Sequence, residues 1–254
     1  MRKYAFYSNI VNSLNFSDFT RRELDLFMAI CSLQNGQASQ LCLYSFDALK
    51  NYLEWDPKQP KERFPNMLAD VATKLITLNG AFKIGHEFFA FSLFSTFKIV
   101  ENEESLLVRT NPDFVDLLNY FVNNFTTIEL REYISLKNKY AKLLYQNLRQ
   151  YKNTGVWYPT VNDLKKHLSS PPSYITKYLI SKVLEPAVKE LSKLPDFQDI
   201  QWKPITRKNS SRITAFEISW KPAPPMKYIK TYNKPDFKQN EYDFDELEKS
   251  LTVN

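Results

Sequence analysis

The chain has 254 residues, 43% of them hydrophobic and 15% aromatic, and a net charge of +6 at neutral pH. This composition is typical of a globular chain with one or two domains, and it excludes a disordered one. The sequence has no apolar run that approaches the roughly 20 residues of a membrane helix, and its N-terminus is too polar for a signal peptide. Its cysteines do not have the paired spacing of a disulfide framework or a zinc site. We therefore expect a cytoplasmic protein in which Cys31 and Cys42 are free thiols.

The first half of the chain alternates helical and extended patterns. Residues 1–15 predict an ordered arm or a short strand, and Thr20 with Glu23 makes the capping box of a helix that ends at Asn35-Gly36. The later patterns predict a strand at 40–44, a helix that starts at Ser45, a helix over 61–78, a hairpin over 81–100 that turns near 85–87, a strand at 106–110 and a helix over 113–121. The order is helix, strand, helix, helix, hairpin.

The second half repeats that order. A helix is predicted over 134–151 and a short strand at 156–158. A short helix from Val161 to Leu168 comes next, and a turn with two prolines ends it. A longer helix that Ser173 caps and a hairpin with its loop at 206–212 complete the pattern. This is the element order of a winged helix-turn-helix.

Apolar positions of the two halves match at an almost constant distance along the chain. Leu49 and Leu53 lie 115 residues before Leu164 and Leu168, and the stripes of the longer helices lie 116 residues apart. Chance agreement between helical stripes is the alternative, but three stripes in order with one shift favour an internal repeat. We predict an α+β fold with two tandem winged-helix domains that form a pseudo-twofold internal repeat.

The predicted domains differ in charge. We place an N-terminal winged-helix domain at residues 1–130, a C-terminal basic winged-helix domain at 131–221, and a tail that is first Pro-rich and then acidic at 222–254. Their net charges are −3, +10 and −1. A positive charge confined to one segment indicates a nucleic-acid-binding domain better than it indicates a solvated lysine-rich surface. The tail is either a disordered terminus or a peptide that folds on a partner.

Polar and basic residues beside the apolar stripe of the longer helix are candidates for reading DNA, because a recognition helix uses such N-terminal residues. The basic, polar hairpin loop suits phosphate contact; alone it fits an ordinary solvated loop equally well, but behind this helix pair the wing interpretation is favoured. The predicted DNA-binding residues of this domain are Ser173, Tyr174, Lys177, Ser181, Lys182, Arg207, Lys208, Asn209, Ser210 and Arg212.

Residues 5–220 resemble the replication initiator (Rep) proteins of theta-replicating, iteron-containing plasmids, above all those of Gram-positive bacteria. The motifs that carry the resemblance are YSFDALKNYL, KERFPNMLADVATKL, LLYQNLRQYKNTGVW, KVLEPAVKEL and ITAFEISW. The resemblance implies binding of double-stranded DNA at direct repeats of an origin, opening of adjacent AT-rich DNA, and recruitment of host replication proteins such as a helicase or initiator. It also implies repression of its own gene by a homodimer on an inverted repeat, and a first-domain DNA contact within 57–70, at Lys61 and Arg63.

Two other hypotheses remain open: a plain transcriptional repressor with duplicated winged helices, and an enzyme that nicks DNA. A nicking initiator would show a His-hydrophobe-His metal motif, whereas His86 and His167 are the only histidines and lie far apart. Four scattered glycines make no phosphate-binding loop. We therefore expect no catalytic residue, no cofactor, no metal and no membrane partner, and we expect His167 to be exposed on its basic helix.

Overall fold

Two winged-helix domains follow each other along the chain, and the computed structural model describes residues 3–37, 39–84, 86–115, 125–207 and 210–222. Three predicted features fall largely or wholly outside these ranges: the helix over 113–121, of which only a 3₁₀ turn at Pro112–Phe114 is described, the Gly85 turn, and the tail beyond residue 222. None of the described helices is long and apolar enough to cross a membrane.

The first domain opens with a capped helix, as the sequence predicts. Thr20 accepts a hydrogen bond from the Glu23 amide, and the Glu23 carboxylate accepts one from the Thr20 amide at 2.7 Å. Ser45 caps the second helix by accepting from the Ala48 amide at 3.2 Å. The elements of this domain are α1 (Arg21–Gln34), β2 (Cys42–Ser45), α2 (Phe46–Tyr52), α3 (Arg63–Thr77), β3 (Asn79–Ile84), β4 (Glu87–Ser92), β5 (Phe94–Val100) and β6 (Ser105–Thr110), preceded by β1 (Tyr4–Ser8).

The second domain has the same order of elements. It is joined to the first by β7 (Phe125–Glu129) and α4 (Leu130–Ser135). Its elements are α5 (Lys139–Gln150), β8 (Val156–Trp157), α6 (Val161–His167), α7 (the helical residues 176–191), β9 (Gln201–Thr206) and β10 (Ile213–Ser219). The predicted single helix over 134–151 is wrong, because the chain breaks between α4 and α5, where the Glu190 carboxylate accepts the backbone amides of Lys137 and, at 2.8 Å, Asn138.

The two sheets share one topology, which confirms the predicted repeat. The first domain has the strand order β2-β6-β5 and the second has β8-β10-β9, so β5–β6 is the hairpin equivalent to β9–β10. The prediction that the hairpin over 81–100 is the counterpart of the hairpin in the second half of the chain is therefore wrong. The hairpin β3–β4 forms a separate two-stranded sheet inserted before the wing of the first domain.

One hydrophobic core runs through both domains. The matched apolar positions are buried in each repeat, for example Leu49 and Leu68 in the first domain and Leu164 and Leu184 in the second. Helices α1 and α5, the first helices of the two repeats, pack against each other. Strand β1 pairs with β7 in antiparallel fashion, which ties the start of the chain to the segment between the domains. The division at residue 130 stays a prediction.

Candidate nucleic-acid interface

Helix α6 and the turn after it fix the start of the second helix of the helix-turn-helix. Thr160 and Asp163 form a capping box, and Leu164 and Leu168 are buried beneath the helix. Ser169 takes a left-handed conformation, with φ of 47°, which reverses the chain. Its hydroxyl accepts a hydrogen bond from the Phe16 amide at 3.0 Å, so the turn is held against the first domain.

The side of α6 that carries His167 faces the first domain rather than solvent. His167 is half-buried, its ring lies edge-on to Trp157 with centroids 5.6 Å apart, and its Nδ1 is 3.3 Å from the Asn12 carbonyl oxygen. Burial lowers the pKa of His167 below its ordinary value, against the opposite effects of the Asn12 carbonyl and Asp163. The prediction of an exposed His167 is wrong because the N-terminal arm covers it.

The N-cap of α7 lies two residues later than predicted. Ser173 still belongs to the proline turn, in which the Tyr174 amide donates to the Pro171 carbonyl at 3.0 Å. Ile175 occupies the N-cap position of the helix, and no side chain caps it there. The predicted capping role of Ser173 is therefore wrong, and its side chain is exposed.

The middle of α7 is a π-helix between two α-helical ends. The segments are α-helical at Thr176–Tyr178, π-helical at Leu179–Leu184 and α-helical again at Glu185–Leu191. The Glu185 amide donates to the Ile180 carbonyl, five residues back. Pro186 has no amide hydrogen to continue an α-helical pattern, which accounts for the wide turn just before it. Sequence reasoning missed this feature, although Pro186 within the helical pattern was the signal.

The exposed side of α7 carries the predicted polar residues. Lys177, Ser181 and Lys182 are exposed, and the Ser181 hydroxyl donates to the Lys177 carbonyl at 3.1 Å. Tyr174 is half-buried and lies edge-on to Tyr178, with ring centroids 6.1 Å apart. The Lys182 ammonium lies 4.5 Å from the centre of the Tyr178 ring and 5.5 Å from that of Tyr174. The two rings thus hold this cation by cation–π attraction.

Two exposed residues of α7 were missed by sequence reasoning: Ile175 and Tyr178. Both lie in the SYITKYLISK stretch, where bulky apolar and aromatic residues alternate with lysines. This interleaving was the available signal, because aromatic and basic residues together are typical of nucleic-acid surfaces. The apolar stripe of α7 predicts only which side of the helix is buried.

The wing of the second domain ends in a basic turn between β9 and β10. The Arg207 amide donates to the Arg212 carbonyl at 3.1 Å, and the Arg212 amide donates to the Ser210 hydroxyl at 3.1 Å. Arg207, Ser210 and Arg212 are exposed, whereas Lys208 and Asn209 lie outside the described residues. A register shift between Ile213 and Ala215 marks an irregularity in the second strand of the wing.

The candidate residues of the first domain have acidic surroundings. Lys61 and Arg63 are exposed at the start of α3, where Arg63 donates to the Gln59 side chain. Lys61 lines a shallow pocket together with Lys50 and three carboxylates, those of Glu62, Glu101 and Glu104. The two glutamates at 101 and 104 belong to the turn of the β5–β6 wing, the counterpart of the basic turn in the second domain. The described residues thus include eight candidates in the second domain and these two in the first.

The described residues contain no group of three or more His, Cys, Asp or Glu side chains that could hold a metal ion. Cys31 is buried and Cys42 is half-buried, and both are free thiols. Burial raises the pKa of the Cys31 thiol far above its ordinary value, so the thiolate does not form. The start of α7 and the wing expose cations, hydroxyls and an aromatic ring, which suits binding to an anionic polymer.

Comparison with known proteins agrees with this architecture. A solved structure, that of Pi initiator protein in complex with iteron DNA, matches with a TM-score of 0.67 at 14% identity over 85% of this chain and 96% of that one. At that identity the match shows the fold. A probable replication protein rep of Bifidobacterium longum (strain NCC 2705) is 28% identical over 190 residues, which span 74% of this chain and 64% of the relative's length.

Family models cover nearly the whole of the described chain. The model described as Initiator Replication protein, WH1 matches residues 4–149. The model described as Initiator Rep protein, WH2 matches residues 160–220. Between the two matches lies only the segment 150–159, which contains β8. The chain therefore belongs to the initiator replication (Rep) protein family.

Proposed function

We propose that this protein initiates plasmid replication by binding double-stranded DNA at direct repeats, or iterons, of the plasmid origin. The observation that carries the proposal is the exposed basic surface of the second domain, with Lys177 and Lys182 on α7 and Arg207 and Arg212 on the wing. It lies in a segment whose net charge is +10. Such cations displace condensed counterions from the phosphates, which provides most of the affinity of many DNA-binding proteins.

The proposed division of labour follows from the architecture. Residues at the start of α7 contact base edges in the major groove, while the wing contacts phosphate. A second winged helix in the same chain extends the site beyond one half-turn of duplex, and the acidic turn of its wing keeps its phosphate contacts few. The iteron DNA bound by the Pi initiator, which shares the fold, supports this assignment.

The later steps of initiation are part of the same proposal. Several copies on adjacent repeats strain the neighbouring duplex, and AT-rich steps deform and separate most easily. Host replication proteins, such as a helicase or host initiator, then enter the opened region in the cytoplasm. A homodimer on an inverted repeat represses the protein's own gene. We propose that residues 222–254 are a tail that follows the second domain.

We also propose that the protein does no covalent chemistry on DNA. A nicking enzyme must activate a tyrosine and stabilise charge on the leaving oxygen, usually with a metal. The fully buried tyrosines Tyr7, Tyr133 and Tyr145 have pKa values raised by burial, which opposes their use as nucleophiles. Incubation with supercoiled origin DNA and Mg²⁺, followed by denaturation, should give neither a relaxed product nor a protein–DNA adduct.

The test of the main proposal uses the full chain and the DNA that flanks its gene. We expect tandem repeats of about 20 base pairs, because copies two helical turns apart dock on one face of the duplex. A gel shift should show one discrete complex for each repeat, and permanganate should detect unpaired thymines beside the repeats on supercoiled DNA. A duplex of scrambled sequence and equal composition is the control. Binding to an inverted repeat alone, without opening, would make the protein a transcriptional repressor instead.

A further inference from the structure

The apolar side chain of Ile175 stands exposed at the start of the recognition helix. Its exposed fraction is 58%, although isoleucine is among the residue types most often buried. It lies between Tyr174 and Thr176, one turn before the buried Leu179. The side chain therefore projects where a recognition helix meets the edges of base pairs.

Isoleucine at this position makes the isolated domain less stable than it could be. The N-cap of a helix favours Ser, Thr, Asp or Asn, because their side chains accept a hydrogen bond from an unpaired amide of the first turn. Ile175 accepts none, and no other side chain caps α7. The residue thus forgoes a cap and also leaves apolar surface in water, and neither property is explained by packing within the chain.

Basic residues follow Ile175 along the recognition helix. Lys177 lies two residues along the helix with its side chain exposed. Lys182 of the same helix is held over the rings of Tyr174 and Tyr178. An exposed apolar side chain next to basic residues suits a polyanionic ligand that also carries an apolar group, as the base edges of DNA do. In the major groove of DNA, that group is the C5 methyl of thymine, which no other standard base carries.

We propose that Ile175 determines part of the sequence specificity by packing against a thymine methyl group in the major groove. The inference rests on the proposed binding of double-stranded DNA. Lys177, Lys182 and the wing fix the helix on the backbone, and Ile175 then distinguishes a thymine from a cytosine or uracil by apolar contact. The contact also removes from water the surface that the free protein leaves exposed.

The test begins with selection of a preferred duplex from a random pool by the full chain. Each thymine of that duplex is then replaced in turn by 2′-deoxyuridine, which removes only the C5 methyl. We expect the unmodified protein to lose about fourfold in affinity at one thymine, the equivalent of one buried methyl group. Ile175→Ser should lose a similar factor on the thymine duplex and nothing further on that uracil duplex.

Ile175→Ser also separates binding from folding. Serine at the N-cap accepts an amide of the first turn, so the urea midpoint of unfolding should rise while affinity falls. The matched control is Leu43→Ser, because Leu43 is 60% exposed on β2 of the first domain. This variant should bind both duplexes as the parent chain does.

Four outcomes overturn one proposal or the other. Equal losses on thymine and uracil duplexes, or no thymine whose methyl matters, would refute the role of Ile175 while the choice of a preferred duplex still upheld DNA binding. Unchanged affinity of Ile175→Ser would refute it as well, and would leave the residue to a protein partner. Failure to select any duplex would instead refute the proposed function.

Discussion

The carboxylate of Asp25 on α1 and the ammonium of Lys142 on α5 lie 2.5 Å apart, and neither side chain is exposed to solvent. The pair joins the first helices of the two winged-helix units. Burial lowers the pKa of Lys142 to about 8 and raises that of Asp25, although each partner opposes the shift of the other. Desolvation thus outweighs the attraction in both shifts, and we expect the pair to contribute more to the alignment of the two helices than to stability.

Removal of one partner should cost more than removal of both. Asp25→Ala leaves a buried ammonium unpaired and should lower the free energy of unfolding by about 3–5 kcal/mol. The double variant Asp25→Ala/Lys142→Met should lose less than this single variant, as urea denaturation can measure. Glu217→Ala, which removes the half-buried partner of the exposed Lys203 at 3.9 Å, should change stability by less than about 1 kcal/mol. Additive losses in the double variant would contradict the pairing.

Stability should fall as the pH drops below the ordinary pKa of histidine, through His167. The unfolded chain binds a proton there near pH 6.5, while the folded chain resists protonation because the pKa of His167 is lowered by burial. The native state therefore binds fewer protons in this window, and its stability decreases as pH falls. Urea midpoints at pH 7.5 and 5.5 should differ less for His167→Gln than for the parent chain.

The other histidine provides the control for that measurement. His86 is exposed, so His86→Gln should leave the pH dependence unchanged. Glu132 titrates in the opposite sense, because burial raises the pKa of its carboxyl, and it does so equally in all three proteins. An identical pH dependence in the parent chain and His167→Gln would show that the contact with Asn12 does not depend on the charge of the ring.

How much the sequence predicts depends on whether the cause is local. The caps at Thr20 and Ser45 and the apolar stripes follow from short patterns, and both winged helices could be predicted from them. The pairing of β1 with β7 could not, because its partners are more than 100 residues apart. The helix break before α5 depends on Glu190, a residue from another helix. The wing of the first domain was missed because the inserted β3–β4 hairpin comes first along the chain and has the same alternating pattern.

Loss of wing charge should reduce the salt dependence of DNA binding. Arg207→Ala with Arg212→Ala removes two exposed cations from the wing turn. If both contact phosphate, the slope of log affinity against log salt should fall by about 2, and affinity should fall for all sequences alike. Arg131→Ala, an exposed cation on α4, is the control. An unchanged slope in an anisotropy titration would remove the wing from the interface.

The two domains should contribute unequally to affinity. Lys177→Ala with Lys182→Ala should weaken binding of the full chain by at least about tenfold, since each phosphate contact adds to counterion release. Lys61→Ala with Arg63→Ala removes the same charge from the first domain, where Glu62, Glu101 and Glu104 already oppose phosphate. We expect a smaller loss for this second pair. A larger loss there, measured on the same duplex and at the same salt, would reverse the assignment of the main contact.

The π-helical segment should set the rotation of the DNA-reading residues. Pro186 cannot donate to a carbonyl four residues back, and the turn before it is bonded over five residues instead. Alanine at this position restores the donor and favours an ordinary α-helix, in which each residue turns about 100°. Pro186→Ala should therefore raise or preserve the urea midpoint. At the same time it should rotate Lys177 and Lys182 relative to the buried end of α7 and lower affinity for the selected duplex.

A variant that keeps or gains stability but loses affinity would show that the π-helical segment has a role in binding. Pro186 lies near the start of the second α-helical segment of α7, where proline is tolerated, and it imposes its geometry on the turn before it. Ala187→Gly is the control, because it weakens the same turn by about 1 kcal/mol without restoring the missing donor. It should lower the midpoint and leave affinity per folded molecule unchanged. If Pro186→Ala bound DNA as tightly as the parent chain, the wide turn would have no part in recognition.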